Sequence, residues 1–165
     1  MPPARVAAKV ISLQTCTEAQ AKREVDAYMR VQGHAGPRCV FVLSMHAEAL
    51  VPGVAHYLFL EYCERGDLLD HVLSSGGTGE VEGRSLFAEM LCAAHHLHAC
   101  GVAHRDIKLE NIMVGTHGCK LGDFGLAKLT DEGAATCPCE GFIGSVAFAA
   151  PECYLLGAPY DAFKA

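Results

Sequence analysis

The sequence predicts an α+β fold, with strands gathered in the first 63 residues and helices dominating the remainder. Three observations carry that expectation. An apolar run over 4–13 holds the β-branched Val6, Val10 and Ile11 around a single Lys9, and strand-like runs over 39–45 and 56–62 flank a Pro52-Gly53 loop. Two longer stretches, 17–33 and 84–100, place apolar residues at helical spacing. At 165 residues, 51% of them apolar, the chain can bury a sizeable core in one compact unit.

Composition removes several function classes. A charged fraction of 19% beside so much apolar sequence excludes a disordered chain. The net charge of −6 leaves no basic footprint for nucleic acid. Glu89 and three histidines interrupt the longest apolar stretch, so no membrane span is expected, and Lys9 breaks the only apolar run near the N-terminus. The nine cysteines are scattered and odd in number, which favours reduced thiols in a soluble cytoplasmic protein. Cys137-Pro138-Cys139 with Cys153, and His95-His96-Leu97-His98, are weak zinc candidates, since no second pair completes a four-ligand site.

The elements follow in order. Thr17 can cap the first helix with Gln20 three residues on; Val25, Tyr28 and Met29 line one face, and Gly33 stops it. Gly66 and Asp67 open a short helix over 68–73. The glycine-rich 74–83 lacks the Gly-Lys-Ser/Thr ending of a phosphate cradle and reads as a linker. Leu86, Met90, Ala94 and Leu97 then form the core stripe of the long helix, which Gly101 terminates. A hairpin is expected from 111–114 and 119–121, turning at 115–118, and it returns Asp123 to the side of Asn111.

The chemistry concentrates in His104-Arg105-Asp106-Ile107-Lys108-Leu109-Glu110-Asn111, followed by Asp123-Phe124-Gly125 and Ala150-Pro151-Glu152. One carboxylate can orient a hydroxyl while an amide and a second carboxylate meet hard cations, which is what phosphoryl transfer needs from a protein. The three motifs in this order resemble the eukaryotic protein kinases. Lys108, two residues after Asp106, and Gly144-Ser145 ahead of Ala150 resemble the serine/threonine type.

That resemblance implies a bilobal fold, a partial N-lobe with hinge over 1–63 and a partial C-lobe over 64–165, and transfer of the ATP γ-phosphoryl group to Ser or Thr hydroxyls of protein substrates. It implies Asp106 as catalytic base or aligner, Lys108 beside the transferred group, and Asn111 and Asp123 as magnesium ligands. Val6-Ala7-Ala8-Lys9 resembles the strand whose lysine meets the nucleotide phosphates, with Glu24 as that lysine's partner. Leu60 stands as gatekeeper, Glu61 and Cys63 offer hinge backbone to adenine, and Met113 is a further nucleotide contact. Asp67 and Glu110 stand where carboxylates face basic substrate residues. Glu140 is expected to pair with Arg105 in place of a phosphate. No glycine-rich loop precedes Lys9, and the sequence ends at the run into the central C-lobe helix. A partial kinase domain is therefore expected; the alternative is an inactive, pseudokinase-like module that binds nucleotide or a partner.

Overall fold

A computed structural model describes residues 5–116, 118–155 and 157–165. Strand β1 (Val6–Ser12) pairs antiparallel with β3 (Ala55–Glu61), which pairs antiparallel with β2 (Met45–Val51), giving the order β1-β3-β2. Ala7, Lys9 and Ile11 are less exposed than Val6, Ala8 and Val10, the period-two pattern of a sheet with one covered face. The expected strand over 39–45 is not formed. Residues 41–43 instead reach the second half of the molecule, where Leu43 donates to the Leu121 carbonyl at 2.9 Å and Leu121 to the Phe41 carbonyl at 2.8 Å. Val42 and Leu43 are buried by that contact, so the apolar run recorded burial rather than a sheet.

Helix α1 (Glu18–Gly33) begins as expected. The Thr17 hydroxyl accepts from the Gln20 N–H while the Gln20 side chain accepts from the Thr17 N–H, a reciprocal cap. Ala21, Glu24, Val25, Ala27, Tyr28 and Val31 make its buried face. Met29, expected on that face, is 59% exposed because it lies a further 100° round the helix from Tyr28.

Beyond β3 come α2 (Leu68–Ser75), capped by the Asp67 side chain, and α3 (Glu80–Ala99). α3 starts four residues before the expected position, because the Gly79 end of the linker serves as its N-cap. Leu97 of the expected stripe is fully buried, with Leu86 and Met90 packed against the same core, but Ala93 takes the fully buried place expected for Ala94, which is only partly covered. Strand β4 (Val102–Ala103) pairs with β7 (Lys128–Leu129), and β5 (Ile112–Gly115) forms the expected hairpin with β6 (Gly118–Leu121). Finally β8 (Pro138–Cys139) pairs with β9 (Tyr160–Asp161). One continuous core joins α1, β3, α3 and the β5–β6 hairpin, so the two halves share their apolar interior. A smaller cluster holds Cys137, Cys139, Cys153, Tyr160 and Ala162.

Gly101 is the tightest joint in this arrangement. Its φ is +71°, and an added Cβ would meet the Thr130 carbonyl oxygen at 2.5 Å. We expect Gly101→Ala to destabilise the protein by about 2 kcal/mol or more, since neither the φ nor the neighbouring backbone can yield cheaply. Gly33, the last residue of α1, has nothing within 4 Å of an added Cβ. Gly33→Ala should therefore stabilise by about 0.5 kcal/mol, and urea unfolding of the two variants checks the contrast.

Candidate active site

The site forms where the covered face of the β1–β3 sheet meets α1 and the loops after β4 and β6. Lys9 projects from β1, and its Nζ donates to Glu24 Oε1 at 2.7 Å and Oε2 at 2.8 Å. The same amine donates to Asp123 Oδ1 at 2.9 Å. Glu24 is buried and Asp123 half exposed, so one cation neutralises an interior acid and an acid at the cleft surface. Burial alone would lower the Lys9 pKa; the charges of Glu24 and Asp123 outweigh it and raise the net value. Burial lifts the Glu24 carboxyl above its usual range despite Lys9. Asp123 is partly desolvated, but Lys9 and the Gly125 N–H hold its carboxyl below the usual range.

The loop after β4 builds the second group. Asp106 Oδ1 accepts from the Ser145 N–H at 2.9 Å, and Oδ2 accepts from Asn111 Nδ2 at 3.0 Å with Lys108 Nζ 3.1 Å away. Asn111 also donates to the Asp106 carbonyl at 2.8 Å, and Lys108 to the Ser145 hydroxyl at 2.8 Å. Although desolvation opposes it, these donors hold the Asp106 carboxyl below its ordinary value. His104 locks the loop to the turn before Asp123. Its Nε2 meets the Gly122 carbonyl at 2.8 Å and its Nδ1 accepts from the Asp106 N–H at 3.2 Å. Burial holds this imidazole below its usual pKa, which suits the neutral acceptor role. Arg105 and Asp123 carry φ values of +64° and +59°, a conformation unfavourable for non-glycine residues and sustained by this network.

Of the expected residues, Lys9, Leu60, Glu61, Cys63, Asn111, Met113 and Asp123 line one cavity of about 250 Å³. Glu24 stands behind Lys9 rather than in the cavity, and Asp106 with Lys108 lies beside it against Ser145. The Glu61 N–H is spent on the Ser44 carbonyl, and the Glu61 carboxylate pairs with Lys120 at 3.1 Å. Glu110, expected to face the substrate, also lines this cavity, and the sequence reading did not assign Ala7, Leu43, Tyr62 and Gly122 to its wall or foresee the direct contact of Ser145 with Asp106. Only the general Gly-Ser match pointed to Ser145. The Arg105–Glu140 pair does not form. Arg105 donates to the Leu126 carbonyl at 2.8 Å and to Cys139 Sγ at 3.9 Å, while Glu140 is exposed.

The donor chemistry fits magnesium. Asp123 engages one carboxylate oxygen with Lys9 and Gly125, and Asn111 spends its amide nitrogen on Asp106, which leaves hard oxygens on both. Among the described residues no group of three His, Cys, Asp or Glu could hold a metal. Magnesium does not require one, since it is commonly held by one or two carboxylates together with substrate phosphates.

The chain matches the model of the protein kinase domain over residues 3–163. It is 43% identical over 108 residues to testis-specific serine/threonine-protein kinase 3 of Mus musculus, covering 66% of this chain and 40% of that protein. It is 37% identical over 175 aligned positions to CBL-interacting protein kinase 22 of Oryza sativa subsp. japonica, covering 99% of this chain and 36% of that protein. To NUAK family SNF1-like kinase 2 of Homo sapiens it is 38% identical over 104 residues, covering 62% of this chain and 16% of that protein. The chain belongs to the protein kinase family, with the mixed helix-and-sheet fold of its domain. It spans no more than 40% of the length of any of these relatives.

Removing Lys9 tests the electrostatics directly. We expect Lys9→Met to cost about 3 kcal/mol or more at neutral pH, because Glu24 would be left as an unpaired buried charge. A carboxyl whose folded pKa is raised contributes stability below its unfolded value, about 4.3, and loses it as pH rises through the folded one. Without Lys9 that rise becomes larger. The deficit of Lys9→Met against the parent should therefore shrink as pH is lowered from 7 towards about 4.5, in urea titrations at each pH.

Proposed function

We propose that this chain carries an ATP-dependent serine/threonine phosphotransfer site. The observation that supports it best is the joining of Lys9, Glu24 and Asp123 in one ion-paired cluster beside Asp106, Lys108 and Asn111. Magnesium-bound ATP would supply the phosphoryl group and neutralise its charge. Asp123 and Asn111 would hold the metal, and Lys9, kept in place by Glu24, would hold the phosphates. Leu60, the backbone of Glu61 and Cys63, and Met113 would take the adenine. The covalent change is formation of a bond from the acceptor oxygen to the γ-phosphorus and cleavage of the bond to the bridging oxygen, with the acceptor proton released.

Asp106 Oδ1 holds a single donor, so it retains a lone pair for an acceptor hydroxyl. Its depressed pKa makes it a weak base at neutral pH, which favours aligning that hydroxyl over removing its proton early. Lys108 lies within reach of both Asp106 and Ser145 and would stabilise spreading charge on the transferred group. The relatives are named as serine/threonine kinases, which fits a Ser or Thr acceptor on protein substrates. Asp67 and Glu110 would favour basic residues near that acceptor. A cytoplasmic setting fits the nine unpaired cysteines.

A second reading rests on the same geometry. Asp123 keeps 48% of its side chain exposed in the cleft, where it can meet a nucleotide-bound cation whether or not transfer follows. A module that binds nucleotide weakly without turnover would look the same. Two measurements separate the readings. Calorimetry with ATP should give magnesium-dependent binding that Asp123→Asn abolishes. Transfer of labelled phosphate to a serine-containing peptide should occur in the parent and fall by orders of magnitude in Asp106→Asn. Binding without transfer in the parent supports the regulatory module; binding indifferent to magnesium and to Asp123→Asn overturns both.

A further inference from the structure

Helix α1 is attached at its far end as well as at Glu24. In its last turn Arg30 Nη1 donates to the Thr130 carbonyl at 2.9 Å. Just past the helix, His34 Nδ1 lies 3.2 Å from Glu132 Oε2, with the His96 ring of α3 edge-on to His34 at 5.8 Å between centroids. The stretch they grip is itself fixed. Thr130 donates to the Gly101 carbonyl at 2.8 Å, and Gly133 to the Ala99 carbonyl at 3.1 Å. The segment that runs through Thr130 begins at Asp123, which Lys9 already holds. Thus α1 and residues 123–132 are clasped twice, once through Lys9 and once through Arg30 and His34.

The second clasp matters mechanically. Arg30 lies about 9 Å along the helix axis from Glu24, at 1.5 Å per residue. With one attachment the helix can pivot about the sheet and carry Glu24 away from Lys9. With two attachments on the same segment, a pivot must break a charged donor's bond to a carbonyl as well as an ion pair. The Arg30 charge also suits the carbonyl-rich C-terminal end of the helix. Gln32 adds a tie to the sheet, exchanging two hydrogen bonds with the backbone of Met45 at 2.9 and 3.1 Å. The direction of the last turn is therefore set independently of Lys9.

We propose that Arg30 and His34 are positioning residues that fasten α1 to residues 130–132 and thereby keep Glu24 on Lys9. The consequence for turnover rests on the phosphotransfer reading above; the geometry does not. The test is the rate at which an amine-acylating reagent labels each lysine of the intact chain, followed by mass spectrometry. Glu24→Gln, which leaves Lys9 only its Asp123 ion pair, serves as the control for loss of the Glu24 contact. In Arg30→Met/His34→Gln, Lys9 labelling should rise several-fold towards the control, while Lys120, paired with Glu61, labels at the parental rate. Arg30→Lys, which keeps a cationic donor, should restore much of the protection. Unchanged Lys9 labelling in the double variant, with the control raised, overturns the proposal. So does a rise shared by Lys120, which marks general loosening. Calorimetry with ATP on the same proteins separates the two readings, since absent nucleotide binding in the parent would sink the phosphotransfer function and leave the labelling result standing.

Discussion

The structure depends on one amine placed between two carboxylates. Lys9 sits on a strand, Glu24 on a helix and Asp123 at the exit of a hairpin, and their pairing joins three elements that are far apart in sequence. Glu24 is almost fully buried, so the arrangement cannot be dissolved at one point without leaving an acid in an apolar surrounding. That penalty makes the cluster stiff. Asp123, by contrast, keeps half its side chain in the cleft, where a ligand can reach it. A single contact set thus combines a structural tie with a solvent-accessible carboxylate.

Beneath the cluster lies an aromatic column that ties it to the Asp106 loop. Phe124 sits between Tyr28 and His104, with ring centroids 4.5 and 5.4 Å away and edge-on geometry at both contacts. His104 passes the connection to Asp106 by accepting its N–H, and to Gly122 by meeting its carbonyl. Tyr28 ends the column with a buried hydroxyl for which the described residues provide no hydrogen-bond partner of normal geometry. Burial and the nearby Glu24 charge push its pKa upward, so it stays neutral beside the acids. Packing and polar contacts therefore run through the same residues, and a shift of Phe124 would disturb both carboxylate groups together.

What the sequence made legible is what short-range chemistry determines. The Thr17–Gln20 cap, the α3 stripe and the hairpin before Asp123 each follow from residues a few positions apart. The β2 strand was hidden because Met-His-Ala-Glu-Ala-Leu-Val carries little β-preference; its strand form comes from pairing along β3. The run over 39–45 misled for the opposite reason, since its apolar residues are buried between halves rather than in a sheet. Within the site, the motifs' resemblance to the protein kinases pointed to Asp106, Asn111 and Asp123, and the resemblance of Val6-Ala7-Ala8-Lys9 to a strand of that family pointed to Lys9. Ser145 and the true partners of Arg105 were not legible, because each depends on where a long segment folds back.

That fold-back is also what completes the Asp106 group. Gly144 has a φ of +124°, and an added Cβ would stand 2.5 Å from the Arg105 carbonyl oxygen. Only glycine lets the segment come this close, and the closeness is what delivers the Ser145 N–H to Asp106 and its hydroxyl to Lys108. Arg105, in a left-handed conformation of its own, turns outward to the Leu126 carbonyl instead of meeting an acid. The unfavourable conformation of Arg105 is thus held against a conformation that only glycine adopts freely, by bonds made across the loop and the segment. Asp106 owes its lowered pKa partly to a donor from a segment 39 residues away in sequence, so the charge state of the loop is bound to the placement of that segment. Any movement of the segment would withdraw the Ser145 N–H from Asp106 and the Ser145 hydroxyl acceptor from Lys108, and so raise the Asp106 pKa in one step.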